Sequence, residues 1–264
     1  MDHVDPTVAH PARRYNYWLG GKDHFAADRA SGDLLAARFP TARTAARENR
    51  DFLRRTVSHL AGAGIRQFLD IGTGLPVPDN THQIAQRVAP ESRVLYVDND
   101  PIVMTHARAL TVGTARGRTG YLEADLRDPA AILGHPELAA VLELDRPVAL
   151  LLVAVLHFLH DDAQAEAVVR QLLDALPAGS CLVASNLTLD YAPPEQIAAH
   201  EDLLARGHTD ARARSAAQFG RFFDGLELVA PGIVAVSDWR PDRPAEQRPA
   251  PADVAINGAV GRKP

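Results

Sequence analysis

Phe68-Leu69-Asp70-Ile71-Gly72-Thr73-Gly74 is the stretch on which the fold turns. Apolar residues, a carboxylate and two glycines one residue apart read as a strand that runs into a tight turn. The apolar spacing in Gln83-Ile84-Ala85-Gln86-Arg87-Val88 predicts a helix soon after. Glycine lets such a turn adopt dihedrals closed to other residues and lets backbone approach a ligand closely. The following helix presents N–H groups to that ligand. Open parallel sheets hold nucleoside-containing cofactors in this way.

Three further strands follow. Arg93-Val94-Leu95-Tyr96-Val97-Asp98 ends in an acid 28 positions after Asp70, followed by Asn99 and Asp100. At that tip a carboxylate can accept both ribose hydroxyls. Gly120-Tyr121-Leu122-Glu123-Ala124-Asp125-Leu126-Arg127 places Asp125 where the exocyclic amine of adenine belongs. Val148 to His157 is a nearly continuous apolar run, which suits a strand buried on both faces.

The series resembles the class I S-adenosylmethionine-dependent methyltransferases. Asp70, Gly72 and Gly74 match that superfamily's first motif, Asp98 its ribose-binding acid and Asp125 its adenine-side acid. A narrower resemblance rests on Arg13-Arg14-Tyr15-Asn16-Tyr17-Trp18-Leu19-Gly20-Gly21-Lys22-Asp23-His24-Phe25, with Asn49-Arg50 and Asp79-Asn80-Thr81-His82. These stretches are similar to an actinobacterial S-adenosyl methyltransferase family once catalogued as a domain of unknown function. The resemblance spans residues 8–264. It implies an α/β, Rossmann-like sheet of seven mostly parallel strands, helices on both faces, an antiparallel last strand and an N-terminal helical extension. It also implies S-adenosylmethionine as cofactor, S-adenosylhomocysteine as product and a small-molecule acceptor, with some members acting in secondary metabolism.

The expected division is an extension or lid over residues 1–60 and a cofactor-binding domain over 61–264, with the insertion 188–218 helping to form the substrate pocket. The expected cofactor contacts are Asp70, Ile71, Gly72, Thr73, Gly74, Asp98, Asn99, Asp125, Leu126 and Ala154. Tyr17, Gly20, Gly21 and Lys22 of the extension and Asn80 beyond the glycine turn are expected to join them. Lys22 would pair with the methionine carboxylate or with a surface acid. Asn80 reaches the cofactor or caps the next helix. Tyr15, Tyr17 and Trp18 either face the sulfonium, a favourable cation–aromatic pairing, or dock the extension on the core. Methyl transfer is an in-line displacement in which orientation does most of the work. A base is needed only where the acceptor must lose a proton early. Candidates are His157, His24, Tyr15 and Asp23.

Local signals complete the reading. Ser31-Gly32-Asp33 predicts a turn, with a helix from Leu34 to Phe39 and another from Thr41 to Leu60. In the insertion, helices are expected from Pro193 and over Asp210 to Phe219. Arg206, Arg212, Arg214 and Arg221 make it basic, facing either an acidic substrate or solvent. A sixth strand is expected within Phe222 to Val236 and a last strand over Ala252 to Gly261.

Composition sets the outer bounds. The 264 residues suit one large domain, and 46% hydrophobic content supports a sizeable core. The net charge of −5 argues against a nucleic-acid partner. The single Cys181 excludes an intrachain disulfide, and no apolar run is long enough to span a membrane. The first residues do not read as a secretory signal, so a cytoplasmic protein is expected. A homo-oligomer is compatible with this sequence. His157, His160, Asp161 and Asp162 lack the His-Glu-x-x-His pattern, so no metal is expected. A nicotinamide cofactor is disfavoured, because Val77 stands where the third glycine of Gly-x-Gly-x-x-Gly belongs.

Overall fold

The computed structural model describes residues 5–110 and 114–264; positions 1–4 of the expected tail and 111–113 of the expected loop lie outside the described residues. Three helices open the chain: α1 (Pro11–Trp18), α2 (Ala26–Arg38) and α3 (Ala42–Gly62). Alternation follows as β1 (Gln67–Ile71), α4 (Thr81–Val88), β2 (Arg93–Asp98), α5 (Pro101–Leu110) and β3 (Arg118–Glu123). Then come α6 (Pro129–Leu133), α7 (Pro136–Val141), β4 (Ala149–Val153), α8 (Asp162–Asp174) and β5 (Cys181–Leu187). The last part holds α9 (Pro194–Ala205), α10 (Ala216–Gly220), β6 (Glu227–Leu228), β7 (Val234–Ala235), α11 (Pro251–Val254) and β8 (Ile256–Arg262).

One sheet runs β3-β2-β1-β4-β5-β8-β6, with β7 also on β8. The strands β1 to β5 pair in parallel, and β8 is antiparallel to β5, β6 and β7. Successive strand residues point to opposite faces. Leu69, Ile71, Leu95, Val97 and Leu150 therefore meet α6, α7 and α8 on one side. Phe68, Val94, Tyr96 and Leu151 meet α3 and α4 on the other. Burial on both faces explains why these strands read as apolar runs.

Although α3 falls in the N-terminal extension by sequence, it packs directly on the sheet. Its Leu53, Val57 and Leu60 form a helical stripe inside the second cluster. Phe52 is fully buried. A Cβ on Gly258 of β8 would stand 2.9 Å from the Phe52 ring, and Trp239 meets that ring edge-on at 5.7 Å. Arg55 is buried beside them and donates to the carbonyls of Trp239 at 2.9 Å and Val236 at 2.6 Å.

Several local expectations are corrected. Ser31-Gly32-Asp33 is no turn: α2 runs through it. Gly32 is there for close approach, since a Cβ would stand 2.9 Å from the Tyr17 ring. The fourth strand stops at Val153, where Ala154 takes φ +55° and Leu156–Phe158 form a short helical turn. The segment 210–214 is irregular, and α10 starts only after Ser215. Its backbone is spent on neighbours: Arg212 N–H donates to the His157 carbonyl at 2.8 Å, and Arg214 N–H to that of Leu187 at 2.9 Å. The sixth strand is split into β6 and β7 around Pro231, which has no N–H for the ladder, so eight strands stand where seven were expected. Ala252 to Val254 is helical, and β8 begins at Ile256.

Phe52→Ala is expected to destabilise the fold by about 3–5 kcal/mol through the cavity it leaves between α3 and β8. Urea unfolding would read this as a lower midpoint with an unchanged slope.

Candidate active site

The loops leaving β1, β2, β3 and β4 open into one cavity of about 920 Å³, roofed by α1, α2 and the segment 187–211. Gly72 and Gly74 have φ of +75° and +67°. A Cβ on Gly72 would collide with Val155 at 2.5 Å, whereas at Gly74 nothing lies within 4 Å. The turn is thus packed on one side and open on the other. The Gly74 N–H donates to Asp98 Oδ2 at 2.8 Å, and the Asp100 N–H to Asp98 Oδ1 at 3.0 Å. Burial raises the Asp98 carboxyl pKa, against the pull of these two bonds.

Asp70 is buried at the end of β1, and the Thr81 hydroxyl donates to it at 2.6 Å. Burial dominates and lifts its pKa from 3.8 to about 6. Asp125 differs. Arg127 holds it through two side-chain bonds of 2.9 and 2.6 Å, and Asn99 donates at 3.0 Å. The guanidinium draws its pKa down to about 2. Ile71, Thr73, Asn99, Leu126 and Ala154 also line this cavity.

The extension divides. Tyr15 and Trp18 reach the cavity wall, but Tyr17, Gly20, Gly21, Lys22 and His24 do not. Tyr17 donates to Asp33 at 2.7 Å, under the Arg43 guanidinium at 4.7 Å. Gly20 takes φ +83° and Gly21 closes on the Asn16 side chain, so this pair shapes a local loop. Lys22 is exposed. His24 bonds to the Gly21 carbonyl at 3.1 Å and Asp23 lies 3.6 Å from His106. Asn80 is also off the wall: its side chain accepts from Val77 N–H at 3.2 Å and its own N–H donates to Gln83 at 2.8 Å, as a helix cap does.

Tyr15 belongs to a relay that the sequence did not disclose. Its hydroxyl donates to the Ala46 carbonyl at 2.9 Å and accepts from Asn49 Nδ2 at 3.1 Å. Asn49 Oδ1 accepts from Ser185 at 2.7 Å, and Ser185 Oγ accepts from the Ala154 N–H at 2.9 Å. Burial raises the Tyr15 pKa, so this phenol keeps its proton. Arg50, one residue on, lines the cavity and donates to the Asp79 carbonyl at 3.0 Å; among the described residues no ion pair gives it a carboxylate.

Beyond β4 lie two imidazoles. His157 is buried with Nδ1 unpartnered, its ring edge-on to Phe158 at 4.3 Å, and burial lowers its pKa to about 4. His200 of α9 is also buried, with Nε2 unpartnered and its pKa lowered by burial. The sequence reading missed it, because a histidine before Glu201-Asp202 looks like helix surface. His160 bonds to the Asp210 carbonyl at 2.6 Å, Asp161 caps α8, and Asp162 pairs with Arg212 at 3.0 Å and Arg214 at 2.9 Å. Among the described residues no three His, Cys, Asp or Glu side chains gather as a metal site. The insertion's arginines are spent internally: Arg206 pairs with Asp202 and Arg221 with Glu166.

Asp70 has a folded pKa above its unfolded one, so protonation favours folding. Its contribution to stability is greatest below about pH 4 and is lost as pH rises through about 6. Asp70→Asn is therefore expected to stabilise the free protein by roughly 2–3 kcal/mol near pH 8. Urea unfolding at several pH values should show that gain vanish near pH 3.

A family model for S-adenosyl methyltransferases matches residues 1–264. A crystallised DUF574 family protein from Streptomyces avermitilis is 49% identical, with 99% of this chain and 100% of that chain covered and a TM-score of 0.94. A second, from Thermobifida fusca and provisionally assigned as a methyltransferase, is 40% identical over 97% of this chain and 96% of its own, with a TM-score of 0.88. The mitomycin 7-O-methyltransferase MmcR shares the fold at 18% identity, 80% and 54% coverage and a TM-score of 0.51. No curated protein sequence matches. The chain belongs to the S-adenosyl methyltransferase family, and S-adenosylmethionine is its cofactor.

Proposed function

We propose that the protein transfers the methyl group of S-adenosylmethionine to a small molecule bound beside the cofactor in the same cavity. The observation that carries this reading is the buried Asp98 carboxylate, held against the Gly72–Gly74 turn by the Gly74 N–H, with open space over Gly74. That cradle and its acceptor oxygens suit a ribose with two hydroxyls. Asp125 and Leu126 would face the adenine. Arg50, near enough to Asp70 to lower its pKa, would take the methionine carboxylate. Gly72, Thr73 and Ala154 would line the amino-acid part.

When bound, the cofactor supplies an electrophilic methyl on a cationic sulfur. The chain's own task is to align the acceptor and exclude water, which contributes on the order of 7–11 kcal/mol in well-oriented systems. The S–CH₃ bond breaks as the acceptor–CH₃ bond forms, and the acceptor's proton leaves. His157 lines the cavity just past β4 and is kept neutral by burial, so a ring nitrogen can orient the acceptor by accepting its hydrogen bond while the proton passes on to water. Tyr15, whose hydroxyl proton is committed to Ala46, acts instead in placing α1. The part of the extension that covers the cavity, α1 and α2, serves as the lid.

Calorimetric titration tests the cofactor site. S-adenosylhomocysteine should bind and NAD should not. Asp98→Ala should weaken S-adenosylhomocysteine by at least about 100-fold, the loss of two charge-assisted bonds. Undiminished affinity in that variant would remove Asp98 from the ribose.

A further inference from the structure

With the cofactor on the β1–β3 side of the cavity, as proposed for the function, the acceptor's place is the remaining side, and its assignment rests on that reading. This side lies over β4 and β5, between α2 and α9. Its wall is apolar where it is broadest: Leu35, Phe39, Phe158, Leu187, Leu189 and Ala192. At about 920 Å³ the whole cavity is near the upper end for drug-sized ligands, with room for a second molecule beside the cofactor.

Charge decides what that molecule can be. Among the described residues, the ionised side chains on this side are already engaged, in an ion pair or as a helix cap. Arg14 is paired with Asp210 at 2.9 Å. Asp161 accepts the N–H groups of Ala163 and Gln164 at 2.8 and 3.1 Å. Arg50, which lacks a carboxylate, stands on α3 toward Asp70, on the cofactor's side. Asp161 is exposed to water, so an ionised acceptor would lose its hydration without finding a buried, unpaired counter-charge, which costs several kcal/mol per ion. What does lack partners is a pair of uncharged nitrogens, His157 Nδ1 and His200 Nε2. Both rings line the cavity. A proton on His200 would oppose one on His157, which also lies near Arg14 and Arg214. Asp210 and Glu201 act the other way, on His157 and His200 respectively.

We propose that the methyl acceptor is an uncharged, mostly apolar small molecule carrying a hydroxyl group, which lies between α2 and α9 and is recognised by the imidazoles of His157 and His200. Amines protonated at neutral pH, carboxylates and phosphate esters are excluded as acceptors. Both unpartnered nitrogens are closed to water in the free protein, so the ring turns as the hydroxyl donates to it, and the apolar body displaces water from the wall.

The test uses the full chain saturated with S-adenosylhomocysteine and three probes of one shape: para-phenylphenol, para-phenylbenzoate and para-phenylbenzylamine, the last protonated near neutral pH. Calorimetry should give the phenol at least about 10-fold higher affinity than either ion. His200→Phe and, separately, His157→Phe should reduce that preference to within about 3-fold while S-adenosylhomocysteine still binds, which also reports that each variant is folded. An ion that binds as tightly as the phenol, no phenol binding to the loaded protein, or a preference unmoved in both variants would overturn the proposal. Failure of S-adenosylhomocysteine to bind the parent protein would instead strike the cofactor assignment.

Discussion

The hydrogen bond from Gly74 N–H to Asp98 ties the tips of β1 and β2 together. Much else depends on it. Gly72 and Gly74 stand in left-handed conformations that close the turn, and Val155 occupies the space a Cβ would need at Gly72. The turn therefore cannot relax toward β4. With the turn fixed, Asp98 is enclosed and its charge becomes costly in the free protein. That cost is what a ligand bearing hydroxyl donors can relieve. A buried, under-coordinated carboxylate at a sheet edge is poor for stability and good for recognition.

The same logic extends to Ala154. A non-glycine residue at φ +55° costs on the order of 1 kcal/mol or more, and the surroundings must impose it. Here Ser185 holds its N–H, Asn49 holds Ser185, and Tyr15 completes the series at Ala46. Four elements, α1, α3, β5 and the end of β4, thus meet in one buried network. Such a network favours a single arrangement, since moving one member strands the others. It makes the first helix part of the cavity rather than an appendage.

The sheet could be read from the sequence because its strands are buried on both faces and its acids fall at strand ends. Asp70, Asp98 and Asp125 each stand at one cavity as the spacing suggested. What failed was local. Ser31-Gly32 carries turn chemistry, yet the glycine serves the packing of Tyr17 and Trp18. Residues 210–214 have helical composition, but their backbone pairs with His157 and Leu187, partners distant in sequence. Ser185 inside a strand and His200 on a helix gave no signal, because their roles arise only when β5 and α9 close on the cavity. Tyr17, Lys22 and His24 belong to the most distinctive stretch of the chain, yet Tyr17 on α1 and Lys22 and His24 on the loop that leads into α2 all stand off the cavity wall.

One sheet edge thereby keeps carboxylates in contrasting states. Asp125 is pinned ionised by Arg127, with its pKa near 2, while Asp70 is lifted to about 6 by burial, against the Thr81 hydroxyl and the more distant Arg50. Across the cavity the polarity reverses, with the Arg14–Asp210 pair closed on itself and neutral imidazole nitrogens buried without partners. A cation-bearing nucleoside would be drawn to the first side by the buried carboxylates of Asp70 and Asp98, where the second side has an exposed Asp161 and a paired Asp210. An uncharged acceptor meets the opposite preference. On the proposed reading the two ligands are sorted by electrostatics before shape acts, and the line between them falls at the end of β4, where Ala154 and His157 stand. Sorting of this kind needs the water excluded that would screen it, and that is the physical reason for a polar relay anchoring an apolar roof.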